Sequence, residues 1–156
     1  MKIMALLGSP RPKSTSSDIA RAFLEEAESL GAQISAHELN KMDIKGCQEC
    51  MACKIRSERC VVEDDLAPVL DAVHETDILV LASPVYFSDV SSQIKPFFDR
   101  CFAFMEAAES YPFPTRLPAG KKTLFILSQG DMFQVHADIA PRYNLFLDMG
   151  GMPITE

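Results

Sequence analysis

No stretch of this chain is dense enough in Lys and Arg to track a phosphate backbone, and its 15 basic residues are outnumbered by 22 acidic ones. A formal charge of −7 therefore excludes nucleic acid as a partner. The chain also lacks any apolar run approaching the roughly 20 residues that a spanning helix needs, and its opening Met-Lys-Ile-Met-Ala-Leu-Leu-Gly-Ser-Pro has no small-residue cleavage pattern. No membrane role is expected, and a cytoplasmic location is. There is no internal repeat and no low-complexity linker, so 156 residues are read as one domain, 1–156. Neither G-x4-G-K-[ST] nor G-x-G-x2-G occurs, which removes the two commonest nucleotide loops.

Against these absences stand five cysteines. In a reducing compartment they are poor candidates for structural disulfides. Four of them, Cys47, Cys50, Cys53 and Cys60, form a C-x2-C-x2-C-x6-C run in a loop at 46–61. Thiols at that spacing cannot share one helix face or one strand face, but a loop folded round a central object aims them inward. The consecutive C-x2-C-x2-C spacing is the ferredoxin-like way to offer three thiolates to a [4Fe-4S] cluster, with the fourth from farther along. Zinc and redox-active or unligated thiols are the alternatives. Cys53 to Arg59 also fits a C-x5-R phosphatase pattern, but lacks the glycines and the buried strand that chemistry needs. Cys101, on an apolar helix face, reads as a buried small hydrophobe. His37, His74 and His136 show no evident acid or metal partner in the sequence.

The rest of the chain alternates strand and helix. Lys2–Leu7 is a short apolar run stopped by Gly8, Ser9 and Pro10, which suits a strand buried on both faces. Ile19, Ala20, Phe23, Leu24, Ala27 and Leu30 recur at helical spacing, with Ser16 or Ser17 as N-cap and Gly31 as the stop. Residues 33 to 39 read as a half-exposed edge strand. A second helix is expected from near Glu63, with Asp64 and Asp65 in its acidic first turn, and Ile78–Ala82 is a buried strand ended by Ser83-Pro84. A third helix, capped by Ser91 or Ser92, should run through Met105, with Pro96 tolerated in its first turns. Residues 108 to 120, with Tyr111, Pro112, Pro114 and Pro118, are loop. Thr123–Leu127 is another buried strand, a helix fills much of 133 to 148, and Met152–Thr155 starts a last short strand. This order describes an α/β doubly wound parallel sheet.

In such a sheet the ligand lies beyond the carboxyl ends of the strands. The loop Gly8-Ser9-Pro10-Arg11-Pro12-Lys13-Ser14-Thr15-Ser16 offers hydroxyls, free amides and a helix N-terminus, with Arg11 or Lys13 for charge, and so suits a phosphate. Ser83-Pro84-Val85-Tyr86-Phe87-Ser88 is aromatic with little charge and could lie along a flat ring, while Ser128-Gln129-Gly130-Asp131 could close the other side of the same pocket.

Gly-Ser-Pro-Arg after the first strand, the cysteine loop leading into Cys60-Val-Val-Glu-Asp-Asp65, and Ser-Pro-Val-Tyr-Phe followed by Ser-Ser-Gln-Ile-Lys95-Pro-Phe-Phe-Asp99-Arg100 together resemble the flavodoxin-like NAD(P)H-dependent FMN reductases. The compact cysteine run is similar to that of the iron-sulfur flavoproteins among them. The resemblance covers roughly residues 2 to 130. It implies the flavodoxin-like strand order 2-1-3-4-5, and an FMN whose phosphate sits on Ser9, Arg11, Ser14, Thr15 and Ser16. The flavin ring would meet Pro84, Val85, Tyr86, Phe87, Ser128, Gln129 and Gly130. Ser14-Thr15-Ser16 stands where the family often has Gly or Ser, then Asn, then Thr, although hydroxyls can still donate to a phosphate.

The resulting expectation is an FMN-dependent oxidoreductase or electron-transfer flavoprotein, with Cys47, Cys50, Cys53 and Cys60 holding a [4Fe-4S] cluster and NAD(P)H as a possible donor. No side chain is named as catalytic, since the flavin carries the chemistry. The alternatives are a cluster-free NAD(P)H-dependent FMN or quinone reductase, and a flavodoxin-type carrier without enzymatic activity. A small-molecule or ferredoxin-like redox partner is expected. The sequence stops at Glu156 without the helix that usually closes such a sheet, which leaves either a truncated chain or a face covered by another subunit in a homodimer or homotetramer.

Overall fold

The computed structural model describes residues 1–109 and 113–156. Four parallel strands form the centre of the sheet: β1 (Lys2–Leu7), β2 (Gln33–Glu38), β3 (Ile78–Tyr86) and, after the two-residue β4 (Asp89–Val90), β5 (Lys122–Ser128). Their spatial order is β2-β1-β3-β5, with β4 paired antiparallel to the end of β3. Ile154 bridges Thr123 in parallel on the far side of β5. Counting that last segment as the fifth predicted strand, the sheet follows the expected flavodoxin-like order.

The sheet is covered on both faces because its central strands alternate which way they point while being apolar throughout. Met4, Leu6, Leu79 and Leu81 face α3 (Leu66–Val73), α4 (Lys95–Arg100) and α5 (Ile139–Met149). Ile3, Ala5, Leu7, Val80 and Ala82 face α1 (Thr15–Ser29). β2 stays half exposed, as its polar alternation requires. A short helix, α2 (Ala52–Ile55), lies inside the cysteine loop. Among the described residues no helix is long and apolar enough to cross a membrane.

Several boundaries differ from those expected. Ser14, in extended conformation, is the N-cap of α1 rather than Ser16 or Ser17, which are buried inside its first turn. Of the apolar positions on α1, Ala20 and Leu24 are buried, whereas Ile19 and Phe23 are exposed, as is Leu30 at its C-cap. The second helix begins at Leu66, so Asp64 and Asp65 lie before it. Strand β3 does not stop at Ser83-Pro84 but continues to Tyr86; β1 ends at Leu7 opposite Ala82, so Pro84 lies past the last β1 pairing, where a missing amide costs little. The third helix leaves α geometry after Arg100 and tightens into a 3-10 turn over Cys101–Phe104. Its terminal carbonyls are taken by side chains: Lys54 Nζ donates to Phe102 O and Met105 O, and Arg116 Nη1 to Ala103 O and Met105 O. Of the expected loop at 108–120, residues 110–112, Tyr111 and Pro112 among them, lie outside the described residues.

Candidate functional site

Because β1, β3 and β5 are neighbours and parallel, their carboxyl ends bring three loops to one edge of the sheet. Leu7 is in register with Ala82, and Gly8 N donates to Ala82 O at 2.8 Å. Pro84 is in register with Ser128. A buried serine knot fastens the first two loops together: Ser91 Oγ donates to Gly8 O at 2.6 Å, and Ser91 N donates to Ser83 Oγ at 2.9 Å. The approach is so close that a Cβ on Gly8 would lie 3.0 Å from Ile94 Cβ and 3.0 Å from Ser91 Oγ, so any side chain there would force its neighbours to shift. The cap expected at Ser91 or Ser92 is not there: the helix starts at Lys95 with Ile94 as its N-cap, and Ser91 instead makes a contact across 83 residues that leaves no local trace in the sequence.

In the first loop Ser9, Ser14 and Ser16 are buried, and the hydroxyls of Ser14 and Ser16 lie 3.1 Å apart. Ser9 Oγ accepts from Arg11 N at 3.2 Å, curling the loop back on itself. Arg11 and Thr15 are exposed. The first bond of α1 runs from Asp18 N to Ser14 O, and among the described residues no side chain caps the helix. Three serines crowd a helix N-terminus whose first amides none of their side chains bonds, which leaves those amides available to an anion, reinforced by the helix dipole. The donor set therefore fits a phosphate.

The second loop is a tight hairpin. Val85 pairs with Val90 and Tyr86 with Asp89, so Phe87 and Ser88 alone make the turn, with φ of +47° and +64°. Two left-handed residues define a type I′ turn, which favours Asn and Gly. A phenylalanine there is strained, and it is wholly exposed, with Tyr86 beside it at 41% exposure. Pro84 is buried and Val85 half-buried. Opposite them, Ser128 and Gln129 are half-buried and Gly130 is exposed, and Gln129 Nε2 shapes the third loop by donating to Met132 O at 2.8 Å. All the residues expected around a flavin thus lie on this one edge.

The cysteines lie on a separate loop, and all four line a single cavity of about 80 Å³. Cys47 and Cys50 are exposed at its mouth, and Cys53 and Cys60 are half-buried. Glu49 and Met51, flanking Cys50, both have left-handed backbones, with φ of +50° and +53°. Such conformations cost on the order of 1–3 kcal/mol each and persist where the surroundings impose them. Here they reverse the chain on either side of Cys50, and α2 then carries Cys53 toward the same cavity. Among the described residues no three His, Cys, Asp or Glu side chains are grouped so as to hold a single metal ion. Burial pushes the Cys53 thiol up; Lys54 counters this in part, while Cys60 and Cys50 add to it. Arg59, the arginine of the phosphatase-like spacing, is paired with Asp71 at 3.1 Å on the surface. Cys101 is buried in the core, as its helix face required.

The loop is held at its base by Asp64 and Arg100, whose side chains are both fully buried. Arg100 Nη1 donates to Asp64 Oδ2 at 2.5 Å and to Lys45 O at 3.3 Å, and Nη2 donates to Val62 O at 2.9 Å. Asp64 Oδ2 also accepts from Lys45 N at 2.8 Å, and Oδ1 from Leu66 N and Ala67 N at 3.1 Å each. One ion pair thus joins the strand of loop before Cys47, the strand after Cys60, and the start of α3. Burial alone would raise the Asp64 carboxyl, but the Arg100 guanidinium and the backbone donors of Lys45 and Ala67 outweigh it and hold the group below the usual carboxylate range. Asp64 does serve the start of the helix, since its Oδ1 accepts from Leu66 N and Ala67 N, but its buried partner Arg100 lies 36 residues away and leaves no local signal in the sequence. His136, expected to lack an acid partner, lies 3.6 Å from Asp131.

A wider groove of about 560 Å³ adjoins the cysteine cavity and shares Cys47, Glu49, Asp99 and Phe102 with it. Phe98, Tyr143 and Phe146 make it aromatic, and Tyr143 Oη donates to Asp89 Oδ1 at 2.9 Å on its rim.

The family model described as NADPH-dependent FMN reductase matches residues 1–153. An iron-sulfur flavoprotein of Archaeoglobus fulgidus is 36% identical over 104 residues, 67% of this chain and 47% of that protein. An iron-sulfur flavoprotein of Methanocaldococcus jannaschii is 33% identical over 100 residues, covering 64% and 51%. The chain spans about half the length of the curated relatives it matches. Among solved structures, an FMN-dependent NADH-azoreductase from Bacillus anthracis in complex with FMN superimposes with a TM-score of 0.75 at 14% identity, covering 98% of this chain and 84% of that one. An NAD(P)H:quinone oxidoreductase from Methanothermobacter marburgensis gives 0.71 at 18% identity, covering 99% and 81%. These two likenesses confirm the flavodoxin-like fold, and the sequence match over 1–153 goes further: this chain belongs to the NADPH-dependent FMN reductase family.

Proposed function

We propose that the protein is an FMN-dependent oxidoreductase that carries a [4Fe-4S] cluster on Cys47, Cys50, Cys53 and Cys60. The observation that carries the reading is the cavity lined by all four thiols in a loop whose backbone is strained on either side of Cys50. A mononuclear zinc would need four sulfurs within about 2.3 Å of one point. Four thiols lining one cavity suit a cluster in which each iron takes its own thiolate. The names of the relatives support the same choice.

Ser9, Arg11, Ser14, Thr15 and Ser16 would hold the FMN phosphate, through buried hydroxyls, uncapped helix amides and the charge of Arg11. Pro84, Val85, Tyr86 and Phe87 on one side and Ser128, Gln129 and Gly130 on the other would hold the ring, with Gly8 and Ser91 fixing the spacing of the loops. FMN when bound supplies a centre that accepts a hydride or single electrons, and the cluster exchanges single electrons, so the pair links two-electron to one-electron partners. The chain's own part is to bind and orient both groups, and NAD(P)H is the donor that fits the family.

The visible spectrum and a donor assay test this. A broad absorbance near 400 nm, with NAD(P)H oxidation that requires bound FMN, is the expected result. A clean flavin spectrum would sink the cluster, and absence of NAD(P)H turnover with any added flavin, quinone or ferredoxin would leave a carrier rather than a reductase.

A further inference from the structure

Arg100 is the largest fully buried side chain of the described residues, and it lines the cysteine cavity. Both of its terminal nitrogens are committed, to Asp64, Lys45 O and Val62 O. Its Nε is different: among the described residues it is the one buried side-chain nitrogen or oxygen without a hydrogen-bond partner. Leaving a buried donor unpaired costs about 1–3 kcal/mol, and native structures seldom do so where no ligand supplies the acceptor. The guanidinium is planar and rigid, so with both Nη atoms fixed the Nε–H cannot turn away to find another partner. The residue that carries this unpaired donor thus lines a cavity whose other lining includes four sulfurs.

We infer that Arg100 Nε–H donates a hydrogen bond to a sulfur of the cluster, either a cysteine thiolate or an inorganic sulfide, and so raises the cluster's reduction potential. This rests on the cluster reading above. Reduction adds one electron to the sulfur-rich cluster; no bond forms or breaks, and the proton stays on Nε. A hydrogen bond to sulfur stabilises the more electron-rich state, which is one of the levers that sets such potentials. The guanidinium's charge is a weaker lever here, because Asp64 neutralises it at 2.5 Å. Arg100 is thus a positioning and tuning residue: through Nη1 and Nη2 it closes the loop, and through Nε it sets the electron affinity of what the loop holds.

The test is an anaerobic potentiometric titration, with dithionite as reductant and mediators, comparing the wild type with Arg100→Lys. Lysine keeps the positive charge for Asp64 but has no N–H at the Nε position. The variant should retain iron and sulfide, its cluster reduction constant should fall about tenfold, a shift of about 59 mV for one electron, and its FMN potential should not move. An iron-loaded Arg100→Lys protein with an unshifted cluster potential would overturn the assignment. Should the variant fail to fold or to load, the wild type labelled with ¹⁵N-arginine decides the matter: the reduced cluster should show a ¹⁵N coupling by pulsed EPR, and a spectrum without one overturns the inference. A wild type that takes up no iron or sulfide sinks the cluster reading and this inference together, whereas a loaded wild type without the coupling sinks only this one.

Discussion

Asp64 and Arg100, 36 residues apart in the chain, form a fully buried ion pair that binds both ends of the cysteine loop to each other and to α3. Removing one partner of such a pair leaves an uncompensated charge in the interior, which costs about 3–5 kcal/mol. Asp64→Asn should therefore lower folding stability by about that amount, read from the urea or guanidinium midpoint. A loss under about 1 kcal/mol, the range of exposed pairs, would mean that water reaches the site and the loop is held some other way.

The same pair sets a pH dependence. The Asp64 carboxyl is held below its ordinary value in the fold, while in the unfolded chain it titrates near about 3.9. Its contribution is therefore complete above that unfolded value and is lost as pH falls through the lower folded one. The stability difference between wild type and Asp64→Asn should be constant above about pH 5 and shrink below about pH 4. Denaturation midpoints across a pH series check this, and a difference that instead grows on acidification would contradict it.

Arg11 is exposed at the edge of the serine-lined helix N-terminus, where it can add charge to a phosphate. Arg11→Ala should weaken FMN about tenfold or more, since a hydrogen bond to a charged group is worth about 1.5–3 kcal/mol. Fluorescence titration of the apoprotein with FMN measures it. Unchanged affinity would remove Arg11 from the site.

Phe87 occupies a left-handed turn position that Asn prefers and points fully into solvent. Phe87→Asn should relieve on the order of 1–2 kcal/mol of backbone strain and raise the melting temperature of the FMN-free protein, while weakening flavin retention. Gain of stability together with unchanged FMN affinity would show that the aromatic serves some other contact.

The fold was legible because β1, β3 and β5 are continuous apolar runs punctuated by Gly8, Ser83-Pro84 and Ser128, and helical spacing fills the gaps between them. That the loops after β1, β3 and β5 share one edge of the sheet followed from that order. What the sequence hid were long-range polar partners: Ser91 with Gly8, and Asp64 with Arg100. A serine before a helix and an aspartate near a helix start have local roles ready to hand, and nothing in their neighbourhoods signals a buried partner dozens of residues away. The reach of β3 past Pro84 was hidden for a related reason, since the cost of a proline depends on where the neighbouring strand ends.

What the four cysteines hold is measured directly by one anaerobic preparation assayed for iron, acid-labile sulfide, zinc and FMN. The prediction is about four iron, four sulfide and one FMN per chain, with iron and sulfide lost and FMN retained in Cys53→Ser. Stoichiometric zinc, or full FMN with neither iron nor sulfide, would contradict it.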